Sequence, residues 1–207
     1  AKDKARAGWA GSGDAGTEKL YFALEERLGT TEFLGYDKHA AEGEITAIIK
    51  DGEEVESVGA DDHAIILVNQ TPFYAESGGQ VGDIGVMTAI SGEAQATVTD
   101  CTKKLGALWL HHVHVAQGAL NKGDGVHLQI DSQRRGAITA NHSATHLLHE
   151  ALRRHLGDHV AQKGSLQDNV RTRFDIAQPV AVTPEQLRAV EYDVNEQIRA
   201  NTAVRTQ

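Results

Sequence analysis

Residues 141–149 read NHSATHLLH and place three imidazoles in one short run: His142, His146 and His149. His142 and His146 stand four residues apart, the spacing at which helical side chains leave from one face. Neutral imidazole is a common metal ligand, so the pair suits a divalent ion such as zinc. A zinc site takes three or four protein ligands, and this spacing supplies two. His149 falls on the same arc of a helical wheel, but three rings from successive turns would then have to converge on one point. The zinc-protease helix is excluded, because it needs Glu directly after the first His and this chain has Ser143 there. Solvated surface histidines are the plain alternative. His155 lies in the apolar arc and reads as a packed histidine.

Three other features carry chemistry. The stretch TPFYAESGGQVGD, residues 71–83, holds the Gly78-Gly79 pair. Two glycines allow unusual backbone shapes and close approach by a ligand, or form a bare turn. The spacing is not that of a phosphate-binding loop or a dinucleotide fingerprint. In LHHVHV, His112 and His114 share one strand face and His111 takes the other, which suits a solvated barrel face or, less simply, a metal. Cys101 is the one cysteine, so no internal disulfide forms, in keeping with a reducing cytosol. It reads as a small side chain near a strand end, with metal ligation or thiol reactivity as alternatives.

These residues need elements to hold them. Residues 1–16 are rich in Gly and Ala and read as a linker. A short helix follows, with Thr17 as N-cap, Leu20, Ala23, Leu24 and Leu28 on one face, and Gly29 as the stop. From about residue 31, short alternating or apolar runs alternate with Gly and Asp turns: EITAIIK, DG, EEVESV, AIILVN, VGDIGVMTAI, EAQATVTDC, ALWLHHVHV and GDGVHLQID. This is the pattern of a small all-β barrel or sandwich. Near residue 140 the period becomes helical through Ala144, Leu147, Leu148, Ala151 and Leu152, ending at Gly157. VRTRFDI alternates as a half-buried strand, with Val170, Thr172, Phe174 and Ile176 on one side. Thr183, Pro184 and Gln186 form a capping box for a last helix whose buried stripe is Leu187, Val190, Val194 and Ile198. The organisation expected is a linker and short helix over 1–30, a β-barrel over 31–130 and an α+β domain over 131–207.

Bulk properties narrow the function classes. Net charge is −9, split as −10 over residues 1–130 and +1 over 131–207. Phosphate binding needs local positive charge, so only the C-terminal part suits a nucleic acid. No apolar run approaches a membrane span and no basic-then-apolar leader opens the chain, so neither a membrane protein nor secretion is expected. The chain has no initiator Met and reads as a piece of a longer protein.

Three segments in this order resemble the editing region of the alanyl-tRNA synthetase family: TPFYAESGGQVGD, RRGAITANHSATHLLHEALRRHLGDHVAQKGSL and TRFD. WAGSGDAGTEKLYFALEERLGTTEFLGY resembles the segment that leads into it. The pairing of NHSATHLLH with HVAQKGSL is shared with the family and with related free-standing editing proteins. Gln167, Thr172 and Ile176 replace residues usually more apolar or aromatic, a change expected to touch packing and leave the site alone.

The resemblance implies a small β-barrel followed by an α+β editing domain, here truncated. It implies hydrolysis of tRNA(Ala) mischarged with serine or glycine, a second sieve needed because an alanine pocket cannot strongly exclude either by binding alone. His142 and His146 match two zinc ligands, with the others expected from a Cys-x-x-x-His motif beyond Gln207. Thr145 and Gln162 match residues beside the aminoacyl group. Gly78 and Gly79 border that site. Arg134, Arg135 and Lys163 are candidates to contact the acceptor end of tRNA(Ala), with Arg153, Arg171 and Arg173 as further basic residues. ATP and magnesium belong to an activation domain absent from this chain, and a cytoplasmic location is implied. A weak or inactive fragment is expected. Two other readings stay open: a tRNA- or protein-binding module without catalysis, and an unrelated metal-binding protein.

Overall fold

A computed structural model describes residues 15–203, so most of the expected linker lies outside the described residues. Two compact units are present: the residues up to Ala75 with Asp83–Ile130, and Glu76–Gly82 with Asp131 onward.

The first unit is a closed barrel. Its strands are β2 (Ala40–Lys50), β5 (His63–Val68), β7 (Gly85–Ala89), β8 (Gln95–Lys104), β9 (Leu108–Gln117) and β11 (Gly125–Ile130). They run in the order β11-β7-β8-β9-β5-β2, and β11 pairs with β2 to close the ring. Short pieces decorate it: β1 (Glu32–Phe33) beside β6 (Gln70–Thr71), β3 (Glu53–Val55) on β2, and β4 (Ser57–Gly59) beside β10 (Ala119–Asn121). The β2–β3 turn is Asp51-Gly52, both with positive φ (54° and 85°), as a tight hairpin turn requires.

The run AIILV is apolar at every position because both of its faces are covered. Ile48, Ile66 and Val68 point into the barrel with Met87, Val98 and Leu128. Ala47, Ile49 and Leu67 point outward and lie under Tyr21 and Leu24 of α1 (Ala15–Leu28). Thr17 is therefore inside α1 rather than its N-cap, and Ala23 is exposed while Tyr21 takes the buried position. Gly29 does end the helix, with φ 70° and its N–H donating to the Glu25 carbonyl. Cys101 is interior to β8 and fully buried in the barrel core, as a small apolar side chain.

Opposite faces of β9 hold different histidines. His112 is half-buried, its Nε2 2.9 Å from Thr102 Oγ1, and His114 packs against His63 with ring centroids 4.7 Å apart. His111 is fully buried.

The second unit contains α2 (Ser132–Leu156), β12 (Ala161–Gln167), β13 (Thr172–Ala177) and α3 (Pro184–Ala200). α2 begins some eight residues before its apolar period becomes visible. Asp131 caps it, accepting from the Arg134 N–H at 2.9 Å, and residues 132–140 are mostly polar and so conceal the helical repeat. β12 pairs antiparallel with β13 through a bulge between Gln162 and Gly164. Its sequence, AQKGSLQ, has no β-branched residue, and its strand state comes from that pairing. Val170 lies before β13 and is exposed, because the Asp168 carboxylate takes the Val170 and Arg171 N–H groups into a turn.

α3 starts with the expected capping box: Thr183 Oγ1 accepts from the Gln186 N–H and Gln186 Oε1 from the Thr183 N–H. Its stripe is only partly buried. Val190 and Val194 join Leu152, Ala151, Val160 and Phe174 in the core, whereas Leu187 and Ile198 remain about half exposed. Leu187 edges an open apolar groove of about 480 Å³ between α2 and α3. His155 is exposed rather than packed, and its Nε2 faces Asp193 at 3.5 Å. His149 takes the packed position instead, its ring 5.2 Å from that of Phe174.

Candidate functional site

All of the groups described here belong to the second unit. His142 and His146 do share one face of α2. Their rings are nearly parallel, 18° apart with centroids 5.0 Å apart. His146 is exposed and His142 is half-buried. Burial first, and then the neighbouring His146, hold His142 below the usual imidazole range, which favours the neutral form a metal ligand needs.

His142 Nδ1 lies 2.9 Å from Gln80 Oε1. Gln80 comes from the Gly-Gly loop, which docks against the end of β12. The Gln167 N–H donates to the Gly79 carbonyl at 2.7 Å, and the Val81 N–H donates to the Gln167 carbonyl at 3.2 Å. Gly79 has φ 84°, and a Cβ there would run into the Ser165 hydroxyl and lie 2.7 Å from the Ser165 carbonyl oxygen. Gly78 also has positive φ, 61°, but a Cβ there meets nothing within 4 Å. The pair is thus asymmetric: the close approach belongs to Gly79.

Thr145 lies between the two histidines in sequence but faces inward, 4% exposed. Its hydroxyl donates to the Asn141 carbonyl at 2.8 Å and stands 2.6 Å from Thr172 Oγ1. Since its proton goes to Asn141, Thr172 must be the donor of that short bond. Gln167 Nε2 approaches the same oxygen at 3.4 Å and donates to Ser165 Oγ at 2.8 Å. Thr145 is therefore saturated: one proton given and both lone pairs engaged.

Gln167 and Thr172 were expected to affect packing alone. The structure corrects this, for both contact Thr145, and Gln167 is fully buried with its Oε1 unpartnered. Sequence reasoning also passed over Gln80, Ser165 and Asn141. Only Gln80 carried a signal, as the polar residue following the Gly pair.

The remaining candidates spread out. Gln162 and Lys163 are exposed on β12, at its bulge. Arg134 is half-buried, with Nη1 donating to the Gly82 carbonyl at 2.8 Å. Arg135 is buried, 7% exposed. Arg173 chelates Asp175 at 3.0 and 2.7 Å, and Arg153 and Arg171 lie near Asp158 and Asp168. Among the described residues, no group of three or more His, Cys, Asp or Glu could hold a metal ion. The imidazoles of His142 and His146 are of a donor type that zinc accepts, and they number two where a zinc site takes three or four protein ligands.

Residues 1–134 match the family model of the class II (A) tRNA synthetases. The chain belongs to that family. Over 204 residues it is 55% identical to the alanine–tRNA ligase of Rhodopseudomonas palustris, covering 99% of this chain and 23% of that protein. The alanine–tRNA ligases of Paracoccus denitrificans and Rhizobium meliloti are each 52% identical over 206 residues, covering 100% of this chain and 23% of theirs. The likeness to alanyl-tRNA synthetases thus runs through both units, including the histidines of α2, which lie beyond the family-model match, while this class II synthetase chain spans about 23% of those relatives' length. Among its described residues no helix is long and apolar enough to cross a membrane.

Proposed function

We propose that this chain supplies part of an editing site that hydrolyses the ester of tRNA(Ala) mischarged with serine or glycine, within a longer cytoplasmic alanine–tRNA ligase. The observation that supports it best is the pair of parallel imidazoles of His142 and His146 on one face of α2, with His142 tied to the Gly-Gly loop by Gln80. These two rings are the metal ligands this chain contributes. When bound, zinc would supply a Lewis acid for an ester carbonyl or a water. Among the chain's own residues, buried Thr145 and Gln167 and half-buried Thr172 form a polar layer on the inner side of α2. Gln162, exposed on β12, is the candidate to hydrogen-bond the aminoacyl group, and Lys163 and Arg134 are the candidates to meet acceptor-end phosphates. ATP and magnesium serve the ligation step elsewhere in such proteins, and no residue here is assigned to them.

Single-turnover deacylation of Ser-, Gly- and Ala-tRNA(Ala), with zinc measured in each preparation, tests this. Two imidazoles leave zinc mostly open, so the 207-residue chain should retain little zinc and deacylate slowly. In a full-length ligase carrying this stretch, His146→Ala should remove zinc and lower the rate on Ser-tRNA(Ala) by at least about tenfold, since loss of an outer-sphere partner alone typically costs that much. Gln162→Ala should slow serine clearance with zinc retained. Full activity in the His146→Ala protein would refute the metal reading, and tight one-to-one zinc in the short chain would show that a further ligand is present.

A further inference from the structure

We infer that Gln80 is a positioning residue that holds the neutral ring of His142 as its Nδ1–H tautomer, leaving Nε2 as the atom with the open lone pair. Gln80 Oε1 is an acceptor only, so the 2.9 Å contact requires a proton on His142 Nδ1. A neutral imidazole carries one N–H, so Nε2 is then the acceptor and the available donor atom toward a metal. Free imidazole side chains prefer the opposite tautomer, so an outside partner must impose this one.

The loop is built to impose it. Gln80 is 5% exposed, so its amide has no freedom to turn to solvent. Its backbone is pinned on both sides, since Gly79 accepts from the Gln167 N–H and Val81 donates to the Gln167 carbonyl. Gly79 packs on Ser165 so closely that no side chain fits there, and its φ of 84° turns the chain so that Gln80 follows directly against α2. His146 has no corresponding anchor among the contacts described and is exposed, so the two imidazoles are not equivalent. His142 is the preset ring and His146 the adjustable one. Second-sphere partners of this kind fix ring orientation and ligand basicity at metal sites.

The inference rests on the proposed metal reading only for its purpose; its test does not require metal. Two-bond ¹H–¹⁵N spectra of the metal-free 207-residue protein, at a pH where the rings are neutral, read the tautomer directly. His142 should show a protonated Nδ1 and a lone-pair Nε2, while His146 shows the ordinary mixture weighted to Nε2–H. Gln80→Met keeps the volume and removes the acceptor, and should move His142 to the Nε2–H form. Gln80→Glu restores an acceptor oxygen and should restore Nδ1–H, an effect that a merely structural role for Gln80 would not produce. Nε2–H at His142 in the unmodified protein, or no change in Gln80→Met with the fold intact by its amide spectrum, overturns the inference. In the full-length ligase, Gln80→Met should weaken zinc affinity by about 10–100-fold. If the full-length protein holds no zinc while the 207-residue protein shows Nδ1–H, the metal reading falls and the tautomer assignment stands.

Discussion

Gly79→Ala should destabilise the second unit by about 2–5 kcal/mol, the sum of two separate costs. A left-handed backbone costs a side chain roughly 1–2 kcal/mol, and φ at Gly79 is 84°. The new methyl would also meet the Ser165 hydroxyl and lie 2.7 Å from the Ser165 carbonyl oxygen and 2.9 Å from Gln167 Oε1. Forcing a carbon into such a packed spot adds roughly 1–3 kcal/mol. The control is built in. Gly78→Ala carries the backbone cost at φ 61° but meets nothing within 4 Å, so it should cost only about 1 kcal/mol. Hydrogen exchange of the β12 and α2 amides measures both. Equal losses for the two variants would mean that the loop is not packed on Ser165 as described. Gly79→Ala should also break the Gln80–His142 bond, which ties the stability of the loop to the chemistry of the site.

A second large effect is a loss of barrel stability in mild acid. His111 is enclosed in the barrel, with Nδ1 donating to the Ile66 carbonyl at 3.0 Å. Its Nε2 accepts from the Thr71 hydroxyl at 2.8 Å, and that hydroxyl oxygen accepts in turn from the Phe73 N–H at 3.1 Å. The neutral ring is satisfied, and a second proton would turn the Thr71 contact into one donor facing another. Burial pushes its pKa down from 6.5 to about 4, with nearby His112 acting in the same direction and the Ile66 carbonyl opposing. The folded value lies below the unfolded one, so between these pH values the unfolded chain binds more protons. Stability is fully present above pH 6.5 and is lost as pH falls toward 4, by about 3 kcal/mol in total. Urea unfolding of the barrel across that range, with the His111 ring followed by NMR, checks it. A His111 that titrates near 6.5 in the folded protein would remove the basis of the effect.

How much of this was legible beforehand differs by element. The barrel strands were readable because apolar alternation and Gly or Asp turns are local signals. The capping box at Thr183, Pro184 and Gln186 was readable for the same reason, since all of its partners lie within four residues. The spacing of His142 and His146 guaranteed a shared face once α2 was a helix.

Other features depend on partners distant in sequence. AQKGSLQ has no strand propensity of its own and becomes β12 only by pairing with β13. Residues 76–82 sit between barrel strands in the chain, yet they pack with the second unit, because two backbone hydrogen bonds to Gln167 hold them there. Helical phase distinguished His149 from His155 incorrectly, since the arc that is buried depends on what packs on α2: Phe174 of β13 lies against the His149 ring, whereas His155 is exposed.

The sequence by itself therefore determined what local hydrogen bonding and periodicity can encode: a series of alternating strands fit for a barrel or a sandwich, the helix that carries His142 and His146, and the pair of imidazoles on one face. Only the tertiary structure decided which groups complete that face. Gln80 stands 62 residues from His142, and Thr172 stands 27 from Thr145. No local rule links residues so far apart. Their hydrogen bonds exist because the Gly-Gly loop and the β12–β13 hairpin are each packed against the same side of α2.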